Sequence, residues 1–205
     1  MLPAGAALAF TCWATPALSD TRGAPNAVTF LVGQAVDTDF TDLISQPWTA
    51  DFVDLTMVGA AVSTRLGTMN ELFGSADSGG IGDDITVEVE AGGSYRFGEE
   101  SLGELWGALY FRYDGFGWND IVYTTVAINT GLSILSETSE FERERAGGQS
   151  SLVLNYLAPE ITFANPDNKN LELVLQLHHR SGIFGLIDDV SGGSTFISTG
   201  IRMRF

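Results

Sequence analysis

The stretch 171 LELVLQLHHRSGIFG 185 sets leucines at 171, 173, 175 and 177, all on one face if the segment is a strand. Successive side chains of a strand point to opposite sides of its sheet, so Glu172, Gln176, His178 and Arg180 share the other face. The next two members of the leucine face are His179 and Ser181. An apolar stripe that ends in an imidazole and a hydroxyl marks either a strand reaching water or a nucleophile with its base at the edge of an apolar medium.

Seven more stretches read as strands between Gly, Asp, Asn and Pro-rich punctuation: 26–36, 50–62, 84–97, 102–113, 119–135, 149–163 and 194–205, with this one at 170–182. In the third, Ile85, Val87, Val89, Ala91, Tyr95 and Phe97 oppose Glu88, Glu90, Ser94 and Arg96. In the last, Ile197, Ile201, Met203 and Phe205 oppose Ser198, Arg202 and Arg204. A soluble β-sandwich also alternates, but strands of ten or more residues exceed the usual five or six and match the roughly 9 to 11 that a tilted strand needs to cross a bilayer. A long final strand with an apolar stripe would invite edge pairing in water, and closing the sheet removes that hazard. Aromatic residues near strand ends, among them Tyr95, Phe97, Tyr110, Phe111, Tyr113, Phe116 and Trp118, fit interfacial girdles. The expected fold is therefore all-β, an eight-stranded antiparallel transmembrane β-barrel of the outer-membrane type.

Composition narrows the partners. Ten Lys+Arg against 26 Asp+Glu give a formal charge of -16, which argues against nucleic acid, whose phosphates need clustered cations. Residues 1–19 end in Ala17-Leu18-Ser19 after an apolar run, the pattern of a signal peptide, although the basic opening of such signals is missing. Residues 20–205 then form the barrel, and the only cysteine, Cys12, leaves with the signal, so no disulfide framework is expected. After residue 19 no segment approaches the roughly 20 apolar residues of a membrane helix. Segment 136–150, which mixes both charge signs, reads as a solvated loop, and the glycine-rich 74–84 as another. Asp77, Asp83 and Asp84, or the acidic run 37–42, could offer oxygen ligands to calcium, but neither has the spacing of a dedicated calcium loop, so no metal is expected.

Residues 179 and 181 stand about 6.6 Å apart along one strand face, within reach of an imidazole–hydroxyl contact. A serine hydroxyl becomes a nucleophile when a base takes its proton, and histidine serves as that base near neutral pH. The sequence His179-Arg180-Ser181 on the penultimate strand of such a barrel resembles the PagL-type lipid A deacylases, most specifically over 174 VLQLHHRSGIFG 185. The resemblance implies a carboxylic ester hydrolase that removes an acyl chain from lipid A on the lipid-facing wall, with His179 as general base, Ser181 as nucleophile and no cofactor. It implies the bacterial outer membrane as location and lipopolysaccharide as substrate, and it leaves a homodimer open. Two departures stand out. The family carries Asn after the serine, where this chain has Gly182, so backbone N–H groups of Gly182 and its neighbours would have to stabilise an oxyanion. The family's glutamate falls where this chain reads Gly192-Gly193-Ser194-Thr195; Thr195 has the right parity without the charge, and Asp188 or Asp189 in the preceding turn could swing in. The alternative is a barrel without catalysis, holding a structural, lipid-binding or partner-binding role.

Overall fold

A computed structural model describes residues 22–74 and 80–205. The expected signal peptide, Cys12 and Asp77 lie outside these residues. Nine strands form: β1 (Asn26–Val36), β2 (Phe52–Thr68), β3 (Ile85–Gly98), β4 (Leu102–Tyr113), β5 (Tyr123–Leu135), β6 (Val153–Leu157), β7 (Glu160–Asn165), β8 (Asn168–Ser181) and β9 (Gly193–Arg204). β6 and β7 are two halves of one stave, both lying between β5 and β8. Ala158 and Pro159 separate them, and a proline, lacking an N–H, cannot continue the ladder. Every strand pairs antiparallel with its neighbours and β1 pairs with β9, so eight staves close a ring. The barrel expected from the sequence is the one observed.

Parity within the wall is as the alternation dictates. Leu171, Leu173 and Leu175 are 52%, 49% and 42% exposed, while Glu172, Val174 and Gln176, which alternate with them, are buried. Phe30, Val32, Val58, Val62, Leu105, Leu109, Ile128, Leu132 and Ile201 extend this apolar outer belt around the ring. No helix among the described residues is long and apolar enough to cross a membrane, so any crossing is made by the strands.

Most of the charges turned inward are paired with one another. Glu88, Arg112, Glu160, Arg202, Glu172 and Arg204 form a closed circuit of alternating sign toward the end that holds both barrel termini. Its links are Arg112 to Glu88 at 3.1 Å and to Glu160 at 2.7 Å, and Arg202 to Glu160 at 2.7 Å and to Glu172 at 3.4 Å. Arg204 completes it, 3.0 Å from Glu88 and in contact with Glu172. Above this lies a layer of Trp106, Tyr110 and Tyr156, with Trp106 donating to Glu90 at 2.9 Å. Tyr110 is thus an interior residue and not part of a girdle; its even position on β4 gives it the parity of Trp106 and Arg112. Tyr113, Phe116 and Trp118 do cluster at the terminal end, Tyr113 edge-on to Phe116 at 5.0 Å and Phe116 stacked on Trp118 at 4.8 Å between centroids.

The other end carries the connections 37–51, 99–101, 136–152 and 182–192. Here the structure corrects the reading of 136–150 as a solvated loop. It forms a short helix (Glu140–Arg145) whose Phe141 and Glu142 are buried in the barrel mouth. Glu142 Oε1 accepts from Arg96 at 3.3 Å, Arg180 at 3.2 Å and Ser194 at 2.7 Å. The interior is filled, as expected for an eight-stranded barrel, whose bore is about the width of its own side chains.

Candidate functional site

His178 and His179 are sequence neighbours with opposite fates. His178 points into the lumen, where Nε2 meets Glu104 Oε1 at 3.0 Å and the ring lies 5.0 Å from Trp106 and 4.7 Å from Tyr156. It is a packing and hydrogen-bonding residue. His179 shares the outward face with the leucines, and so does Ser181.

Their height follows from strand geometry. The leucine stripe is centred on Val174, and His179 lies five residues beyond it. At about 3.4 Å per residue on a strand tilted by about 40°, that is a climb of about 13 Å, close to half of an apolar band about 25 Å tall. The imidazole therefore sits at the rim of the belt, and Ser181 just beyond.

Register supplies the neighbours. Across one side, His179 faces Leu157 and Ser181 faces Asn155 on β6. Across the other, His179 faces Thr195 and Ser181 faces Gly193 on β9. His179 Nδ1 and Thr195 Oγ1 share a hydrogen bond of 2.8 Å. Asn155 donates its Nδ2 to the Gly131 carbonyl at 3.0 Å, leaving its second amide hydrogen on the same wall as Ser181.

A cover lies over this part of the wall. The helix that follows β1 (Phe40–Ser45) brings the Phe40 ring against the imidazole, with centroids 4.2 Å apart and planes inclined by 23°. Val36 and Thr195 have outward parity and are nevertheless buried, as residues beneath such a cover must be. The cover is tied down by Arg145, which donates to the Gly193 carbonyl at 3.2 Å and the Thr38 carbonyl at 3.3 Å and also pairs with Asp37. Around the site the loops present Trp48, Phe184 and Leu186, which are 78%, 96% and 82% exposed. Aromatic and aliphatic side chains at this height suit a lipid headgroup boundary.

The structure also bears on the two departures. A side chain at Gly182 would place its Cβ 2.0 Å from the Val190 carbonyl oxygen, so the asparagine of the resemblance has no room there. The Gly182 N–H donates to the Gly192 carbonyl at 3.4 Å, a long bond, rather than standing ready for an oxyanion. Asp188 accepts from Ser151. Among the described residues no carboxylate hydrogen-bonds His179, and no His179–Ser181 hydrogen bond is formed. No group of three His, Cys, Asp or Glu among the described residues is arranged for a metal ion.

This chain is similar in fold to the outer membrane enzyme PagL. The two align with a TM-score of 0.54 at 12% identity, covering 87% of this chain and 99% of that one. Neisserial surface protein A aligns with a TM-score of 0.49 at 12% identity, over 88% of this chain and 97% of that one. Ail, the attachment invasion locus protein of Yersinia pestis, aligns with a TM-score of 0.31 at 14% identity, over 88% and 99%. No family model and no curated protein sequence matches the chain. At such identities the PagL match speaks for the fold, the outer-membrane type of eight-stranded barrel, and leaves function to the residues.

Two site residues escape sequence reading, and the contact of a third, Thr195, does as well. Phe40, Asn155 and Thr195 lie 139, 24 and 16 positions from His179 by their numbers. Thr195 alone carried a signal, its parity. Phe40 and Asn155 become neighbours through a folded-back connection and a strand register, neither of which has a local sequence mark. A groove of about 670 Å³ on the outer wall, lined by Val58, Gly93, Tyr95, Leu105 and Ile134 among others, contains none of these residues.

Proposed function

We propose that the chain is an outer-membrane ester hydrolase that cleaves an acyl ester of lipid A. His179 takes the Ser181 hydroxyl proton on Nε2 as Ser181 Oγ attacks the ester carbonyl carbon. Collapse of the tetrahedral intermediate breaks the bond to the sugar oxygen, which takes the proton back from His179, and leaves an acyl-serine. Water, deprotonated by the same imidazole, attacks that ester and releases the fatty acid and the regenerated hydroxyl. The oxyanion would look to Asn155 on the facing strand.

One observation carries this reading: the imidazole and the hydroxyl share the outward face at the rim of the apolar belt. A lipid held in the outer leaflet would present its ester there without leaving the membrane. The exposed Trp48, Phe184 and Leu186 beside the site offer apolar contact to an acyl chain.

A second reading, a barrel with a structural or partner-binding role, is favoured by the neutral partner of His179 and by the missing His179–Ser181 hydrogen bond. Lipid A incubated with the refolded protein and analysed by mass spectrometry separates the two. The hydrolase loses one acyl chain per substrate molecule with the native protein and none with Ser181→Ala or His179→Asn. Unchanged lipid A with all three, or equal release by all three, removes the proposal.

A further inference from the structure

We infer that Thr195 is the positioning residue of this site, holding His179 with Nδ1 protonated so that the Nε2 lone pair is free to act as base; the inference rests on the ester hydrolase reading. A catalytic imidazole needs two things from its partners. One is a fixed orientation and tautomer; the other is compensation of the positive charge that develops when it takes a proton. A carboxylate supplies both. A threonine hydroxyl can supply only the first, and the geometry here is built for that.

The 2.8 Å contact between His179 Nδ1 and Thr195 Oγ1 admits two polarities. If Nδ1–H donates to Oγ1, then Nε2 is bare and basic. If the hydroxyl donates to Nδ1, the ring proton sits on Nε2 and the imidazole cannot accept one from Ser181. The first is the polarity that the hydrolase reading requires. The Phe40 ring, 4.2 Å away and nearly parallel, opposes rotation of the imidazole out of this plane. Thr195 is itself held: it is buried and in register with His179 on one side and Val36 on the other.

The consequence is a site with orientation but without charge compensation. Its chemistry should run with a low kcat that a carboxylate at position 195 would raise. Aspartate is close to threonine in size and suits this covered position better than a longer acid.

Two measurements test this. With lipid A in detergent micelles as probe, Thr195→Val should lower kcat at least tenfold with KM little changed. Thr195→Ser should stay within about threefold of the native protein, and Thr195→Asp should raise kcat tenfold or more. A valine variant that keeps native kcat, while Ser181→Ala abolishes turnover, overturns the role. Independently of turnover, 15N imidazole shifts of His179 in micelles should report the Nδ1–H tautomer in the native protein and a mixture in Thr195→Val. An Nε2–H tautomer in the native protein overturns the inference. Loss of all Ser181-dependent hydrolysis, with the Nδ1–H tautomer intact, instead counts against the hydrolase reading while leaving the positioning contact standing.

Discussion

The membrane position of the site can be tested by moving one charge along β8. Leu173→Arg puts a guanidinium one residue from the centre of the leucine stripe, about 3 Å from the middle of the apolar band given the strand's rise and tilt. Ser181→Arg puts the same group seven residues from that centre, about 18 Å away and some 6 Å beyond the edge of a band about 25 Å tall. Arginine facing lipid at the midplane of such barrels costs about 2 to 4 kcal/mol, falling to about 0 to 1 kcal/mol near the interface. The expected difference between the variants is therefore about 1 to 4 kcal/mol. Urea-dependent folding into lipid vesicles, followed by tryptophan fluorescence, reads it directly. Equal stabilities, or a loss below about 1 kcal/mol for Leu173→Arg, would mean that the leucine face does not meet hydrocarbon. The placement of His179 at its rim would fall with it.

Other outcomes follow from the interior. Glu142→Ala removes the carboxylate that Arg96 and Arg180 share, and breaking a buried ion pair from one side typically costs about 3 to 5 kcal/mol; the variant should fold less stably in the same urea titration and expose 136–152 to protease. Gly92→Ala sets a Cβ 2.3 Å from Trp106 Cζ2 and must displace the indole from Glu90, at a cost of about 1 to 3 kcal/mol that a shift of tryptophan emission would accompany. Because the bore is filled by the charged circuit and the aromatic layer and Glu142 occupies its mouth, the protein in a planar bilayer should show no steady channel conductance; a stable open level would contradict the packing.

The barrel was legible because its evidence is local. Period-two alternation over 171–177 and 85–97 fixes which side chains share a face, and a strand has no other way to place them. The outward direction of His179 and Ser181 and the inward direction of His178 followed from the same parity. Composition misleads where parity or charge decides. Tyr110 lies among the aromatics near strand ends, yet its even position on β4 sends it inward. Segment 136–150 reads as solvated because of its charges, yet its Glu142 turns inward to pair with Arg180 and to share Arg96 with Glu104.

By itself the sequence determined the number of staves, their two faces and the outward side shared by His179 and Ser181, since each depends on residues a few positions apart. Tertiary structure alone decided the partners: Thr195 and Phe40 on the imidazole, Asn155 opposite the serine, and the circuit of six charges across the bore. Those contacts depend on how eight staves are staggered when the sheet closes on itself and on where a connection folds back. A shift of one residue in the β8–β9 pairing would take Thr195 from the imidazole, and one in the β6–β8 pairing would take Asn155 from the serine, although the sequence of each strand is unchanged.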